Sequence, residues 1–418
     1  MKKTLKKTFA LSLALAAACG GSTTKNNPGY DAACSPAAGN ALNTSCNPGF
    51  TANSPNTPRS IQVTFSGETL GVAGLPFQPV NAGDPTFVDG WSMTFDELLV
   101  VLGNFRLSPN ALQYGGTSLS PQINAPVATK NGPYVVDMHT PSGIVGKDGI
   151  EPAQGLFVWN ILDNGDQFDT SMRYAFSYDT LQAKYPVANV NLTPSQQADY
   201  DLMVSKGWSK LYRGTATYVG TGTYPNTAIQ AKFGALPKTV KFFFGWNDAT
   251  SYINCVNPDN GGTSEGDPTA RGVKPLPNGA YIAQTTLHVD HVFWDQLLIH
   301  GTPLRFDAVA AWAPPSSATT PVDLSTILHH SLTETFGDGT TPLPDRGPYQ
   351  NVPGGYTTDQ ANPAQVVLNL AGVPSSNVPD IINFMAFSAQ SQMHLNANGL
   401  CYVKGQNAAD PFFNPNIP

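Results

Sequence analysis

Glycine and proline punctuate this chain so densely that long uninterrupted elements are excluded. They number 39 and 36 among 418 residues. Proline breaks helix interiors and glycine weakens them, whereas both suit turns. A chain interrupted this often is predicted to be turn-rich and mainly β. Short alternations agree with that: Ile61, Val63 and Phe65 share one face of a strand over 60–66, as do Trp91, Met93 and Phe95 of another. Leu98 to Leu102 then turns continuously apolar, which predicts two strands or one long bent strand with Gly103-Asn104 as a bulge or turn. Further strands are expected over 134–139, 156–161, 172–178, 215–219, 228–233, 239–246 and 281–288. Thr193-Pro194 supplies an N-cap and a proline at the first helical position for a helix reaching about Lys206. Shorter helices are expected over 291–299, 321–332, 363–371 and 378–387. The simplest architecture is a single large β-rich, β-sandwich-like domain over 59–418. Its short helical insertions fall mostly in the C-terminal third, and a subdivision near residue 270 is the alternative.

The N-terminus predicts export. Lys2, Lys3, Lys6 and Lys7 precede an apolar run from Phe9 to Ala18, the form of a signal peptide. That run is too short for a permanent membrane span. It ends in Leu15-Ala16-Ala17-Ala18-Cys19-Gly20, which resembles a bacterial lipobox with Ala16 where leucine is usual. The resemblance implies removal of residues 1–18, lipidation of Cys19 and a membrane anchor through it; ordinary secretory cleavage is the alternative. Gly20 after the cysteine points to the outer membrane, facing the periplasm or the cell surface. Residues 19–58 hold almost no large apolar side chains, so burial cannot offset their ordering entropy, and they read as a flexible tether. Four further cysteines suit an oxidising compartment. Of three possible connectivities, Cys34 with Cys46 and Cys255 with Cys401 is favoured. No Cys-x-x-Cys occurs, which disfavours thiol redox catalysis, zinc ribbons and c-type haem.

Charge narrows the partners. The formal net charge is −7, and removing the four signal lysines leaves about −11. An acidic chain without a basic stripe argues against nucleic acid and against electrostatic binding to anionic lipid. No later apolar run reaches the length of a transmembrane helix. Walker loops and dinucleotide fingerprints are also lacking, so a binding protein is favoured over an enzyme.

The densest set of ligand-type side chains lies in Gln284 to Asp307, which carries His288, Asp290, His291, Asp295, His300 and Asp307. His288 and Asp290 face one way on a strand. If a helix capped by Asp290 begins there, His291 swings back toward the same point. His139 or His394 would complete the set, with Asp137 or Asp290 as a ligand or as acceptor of the second imidazole N–H. This donor set suits zinc or copper. Met138-His139 and Met393-His394 raise copper, although neighbours on a strand point to opposite faces. The alternative is that the histidines are structural and the protein is a surface binding or adhesion module for sugar, peptide or an outer-membrane or extracellular protein. Calcium, in the loops 163–169 or 257–267, is less favoured than a solvated turn.

Several segments resemble a family of uncharacterised bacterial outer-membrane lipoproteins with β-rich domains. They are 89–95 (DGWSMTF), Val135-Val136-Asp137, His288-Val289-Asp290-His291, 294–297 (WDQL), 304–308 (LRFDA) and Met393-His394 through Gly399-Leu400-Cys401. In that family a histidine commonly precedes the last cysteine, where this chain has Leu400, which implies a reduced or altered site here. The resemblance supports the choice of residues and brings no activity.

Overall fold

The computed structural model describes residues 42, 57–77, 85–87, 89–111, 125–147, 149–220, 237–261, 268–294, 304–330, 381–405 and 413–414. Residues 1–18, expected as a signal peptide, Cys19, almost all of the expected tether, and Cys34 and Cys46 lie outside them. So do His300 and the segments 228–233 and 363–371, expected as strand and helix.

The chain opens with β1 (Ile61–Ser66) and the short helix α1 (Glu68–Ala73), then runs through the long strand β2 (Trp91–Pro109). The short strands β3 (Ala128–Lys130), β4 (Tyr134–Asp137) and β5 (Ile144–Val145) precede β6 (Pro152–Trp159) and β7 (Tyr174–Thr180). A two-residue β8 (Ala188–Asn189) leads to a 3-10 turn (Pro194–Gln196) and α2 (Gln197–Lys206). Next come β9 (Lys210–Tyr218), β10 (Thr239–Trp246), β11 (Thr250–Ile253) and β12 (Tyr281–Leu287). A 3-10 turn (His291–Phe293) is followed by α3 (Asp307–Ala310), β13 (Val322–Asp323) and α4 (Leu324–Ile327). The described chain closes with α5 (Ile381–Ala389), β14 (Met393–Leu395), β15 (Tyr402–Gly405) and β16 (Phe413–Asn414).

The fold is mainly β, as expected, and its strands form two mixed sheets. The smaller has the order β14-β12-β1-β6-β5; the larger runs β13-β10-β9-β2-β7-β11-β15-β16, with β3, β4 and β8 attached beside β2. The sheets face one another across aromatic contacts. Phe157 of β6 meets Phe105 of β2 with ring centroids 5.0 Å apart, and Trp159 meets Phe176 of β7 at 6.3 Å. The smaller sheet joins strands from both ends of the chain, because β1 pairs in parallel with β12 and β12 pairs antiparallel with β14.

β2 explains the continuous apolar run. Leu98, Val100 and Leu102 belong to the core between the sheets, whereas Leu99 and Val101 join a second cluster with Tyr200 and Met203 of α2. Both faces of the strand are therefore covered, and the usual alternation disappears. β2 is one strand carrying irregularities at Phe95/Glu97 and at Gly103/Arg106, the second where the bulge was expected.

Three local expectations are corrected. The strand over 134–139 stops at Asp137, so His139 lies beyond it and the two do not share a strand face. Where the helix over 291–299 was expected to begin, the described chain forms a 3-10 turn over His291–Phe293 and is extended at Trp294; 295–299 lie outside the described residues. The helix over 321–332 shortens to Leu324–Ile327, and the His330 ring beyond it stacks on Trp312 at 3.3 Å. Cys255 and Cys401 are disulfide-bonded, which fastens the chain after β14 to the end of β11. Among the described residues no helix is long and apolar enough to cross a membrane.

Candidate metal centre

His288, His291 and His394 each offer one ligand nitrogen, and these three atoms lie within 4.8 Å of one another. Strand pairing brings the first and third together. β12 and β14 place Thr286 opposite His394 and Leu287 opposite Met393, and the His288 N–H then donates to the Gln392 carbonyl at 2.9 Å. Side chains alternate along strands, so His288, Gln392 and His394 point to one face. Met393, pointing to the other, is part of the apolar core. The Met-His pairs therefore supply no thioether to this cluster, since Met138 is also core. The His288 and His394 rings stand 3.8 Å apart, and the 3-10 turn returns His291 to 5.3 Å from each.

The hydrogen bonds fix which nitrogen each ring presents. His394 Nε2 lies 3.0 Å from the Ser391 carbonyl, an acceptor only, so Nε2 carries the proton and Nδ1 the lone pair. His394 Nδ1 is buried without a hydrogen-bond partner. The Ser391 hydroxyl donates its one proton to the Ser388 carbonyl at 2.8 Å, so it accepts from His291 Nδ1 at 2.9 Å and leaves the His291 Nε2 lone pair exposed to the cluster. His288 Nε2 faces two acceptors, the Ala397 carbonyl at 3.1 Å and the Glu68 carboxylate at 3.2 Å. Each ring is thus gripped at one nitrogen by oxygen and presents the other, the arrangement that orients histidine ligands around metals. The group can hold a metal ion. Nitrogens at about 2.0–2.1 Å from one tetrahedral zinc ion are roughly 3.4 Å apart, so for atoms that lie within 4.8 Å of one another seating an ion requires the rings to close by up to about 1.4 Å.

Burial and charge set the protonation. His291 and His394 are pushed well below the usual histidine range by burial, reinforced by the charge on His288. The buried Lys210, which donates to the Ala389 carbonyl at 2.7 Å and pairs with Asp248, adds to the effect on His291. Burial lowers His288 too, but the Glu68 charge and hydrogen bond, Asp290 and the Ala397 carbonyl outweigh it and raise this imidazole to about 9.

The remaining predicted ligands are used elsewhere. His139 Nδ1 bonds the Gly71 carbonyl at 2.8 Å, and His139 is not in the cluster. Asp137 accepts from the Leu98 and His139 amides at 3.0 and 2.9 Å, from Thr140 at 2.8 Å and from Gln196 at 3.0 Å, which closes the end of β4. Asp290 makes no helix-capping bond; its carboxylate accepts from Trp294 Nε1 at 3.0 Å. In the loop after β6, Asp163 bonds Thr129 at 2.9 Å, Asp166 bonds Asn164 at 2.7 Å and Asp169 bonds Ser171 at 2.7 Å, the turn-like alternative to calcium binding. Nothing in the sequence marks Glu68, Ser391 and Ala397, because an acid, a serine and a backbone carbonyl at remote positions carry no spacing signal. Comparison with protein-family models, curated proteins and solved structures finds no match to this chain.

Proposed function

We propose that the protein is an exported, lipid-anchored binding protein that holds one zinc or copper ion through His288, His291 and His394. The observation that carries this reading is the set of ring contacts: three clustered imidazoles are each held at one nitrogen by an oxygen and leave the other for a ligand. A structural histidine needs no such convergence, and a buried Nδ1 without a partner on His394 is unfavourable unless something occupies it. Three nitrogen donors suit the borderline ions zinc and copper and leave a fourth position for water or a small ligand.

Metal analysis by mass spectrometry of purified protein tests the reading, beside a His288→Ala/His291→Ala variant. About one zinc or copper per chain is expected in the parent and almost none in the variant; equal metal in both sinks the idea. The anchor is tested separately by detergent phase partition. Export and lipidation at Cys19 predict that the parent enters the detergent phase and Cys19→Ala stays in the aqueous phase. A parent recovered wholly in the aqueous phase removes the anchor and leaves the metal reading untouched.

A further inference from the structure

We propose that Glu68 is the positioning residue of this centre, holding His288 by its outer nitrogen so that Nδ1 faces the ion; the inference rests on the metal-binding reading above. Three independent observations carry it. The first is register. β1 and β12 run parallel with Ser66 beside Thr286, so residues two further along each chain, Glu68 and His288, come out side by side at the same end of the sheet. With β14 on the other flank of β12, the order β14-β12-β1 lines up His394, His288 and Glu68.

The second is contact. Glu68 Oε2 lies 3.2 Å from His288 Nε2, the nitrogen that also faces the Ala397 carbonyl. Nδ1 is on the other side of the ring, so Glu68 acts on the ligand and does not bind the ion. A carboxylate behind a metal-bound imidazole fixes its orientation and raises its basicity.

The third is backbone conformation. Glu68 has φ +55°, the left-handed region that side chains other than glycine and asparagine rarely adopt. The chain is held there locally. The Glu68 amide donates to Ser66 Oγ at 2.9 Å, and Ser66 Oγ donates to the Pro152 carbonyl at 2.7 Å. Gly67 sits so close to Met138 that a Cβ would lie 2.3 Å from its carbonyl oxygen, so the turn cannot relax toward β4. The second acceptor at the same nitrogen shows the same feature: Asn396 and Ala397 have φ +51° and +68°, and it is the Ala397 carbonyl that meets His288. Two residues held in this sparsely populated region, Glu68 and Ala397, both meet the one ring nitrogen, which indicates that the ring's placement matters more than local ease. A glycine at position 68 would fold more comfortably and could not hold His288.

The test compares the metal-free mature parent with Glu68→Gln and Glu68→Gly, titrated with zinc alone and with copper(II) alone, and follows their melting. Expected are a tenfold to hundredfold weaker affinity for both variants, with the larger loss in Glu68→Gly, one ion per chain throughout, and an unchanged number of coordinated imidazoles in the copper(II) spectrum. At about pH 10, where His288 no longer carries the charge that pairs with Glu68, metal-free Glu68→Gly is expected to melt no lower than the parent, because the strain is relieved. A purely structural glutamate would instead lower melting temperature and affinity together, which overturns the proposal. Glu68→Gln binding as tightly as the parent also overturns it while leaving the three-histidine centre standing. An oxygen ligand lost from the copper(II) spectrum in Glu68→Gln makes Glu68 a ligand and overturns the positioning role. A parent that binds neither ion removes the metal reading, and this inference with it.

Discussion

At His288 burial and charge oppose each other, and charge wins: the imidazole stays protonated to about 9 while His291 and His394 remain neutral. The extra proton occupies Nδ1, because Nε2 already donates to Glu68 and Ala397. Nδ1 must lose it before ligating, so metal uptake releases one proton. Apparent zinc affinity is therefore expected to rise about tenfold per pH unit through the neutral range and to level off near 9. In the metal-free protein the same residue has the opposite trend. Its folded value is raised, so its contribution to stability is complete below its ordinary value of 6.5 and fades as pH climbs through about 9. Competition titrations across that window check the first trend, and a flat profile removes the protonated His288. His139→Ala serves as the control, with unchanged affinity expected, since its ring is committed to the Gly71 carbonyl.

The elements were legible where a residue pattern reports burial, and illegible where a distant partner decides. β1, β10 and β12 follow from alternation, and the solid apolar run of β2 announced two covered faces without naming α2 as one cover. Asp290 had the look of a cap, but Trp294 takes its carboxylate and the 3-10 turn opens at Trp294. His288 and His291 stood out because they share one short segment. Glu68 did not, because parallel pairing of β1 with β12 brings it to His288 across more than half the chain. The third histidine of the cluster depends on a similarly distant tie. His394 rides on β14, and the disulfide between Cys255 and Cys401, 146 residues apart, secures the turn that follows. That turn also supplies the Ala397 carbonyl. Replacing both cysteines by serine is expected to lower stability by about 2–5 kcal/mol and to weaken metal binding at the same time. Urea unfolding beside a zinc titration measures both. Weakened stability with unaltered affinity would show that strand pairing alone holds β14 in place.

Taken whole, the molecule gathers its centre on one edge of the smaller sheet from parts of the chain that meet only when that sheet is complete. β12 carries His288 to its end, the following turn returns His291, and β14 adds His394. The unfolded chain holds no such cluster, so an ion that binds the folded form must also stabilise it. With free zinc at a hundredfold over its dissociation constant the gain is about 2.7 kcal/mol, and it grows with the logarithm of concentration. The parent is accordingly expected to melt several degrees higher in zinc, with a midpoint that climbs steadily as zinc is added. His288→Ala/His291→Ala should show a flat midpoint under the same additions. His139→Ala should follow the parent, because its ring stands outside the cluster. If the double variant climbs as the parent does, the stabilising ion binds elsewhere, and the converging tautomers at the sheet edge are only a packing arrangement.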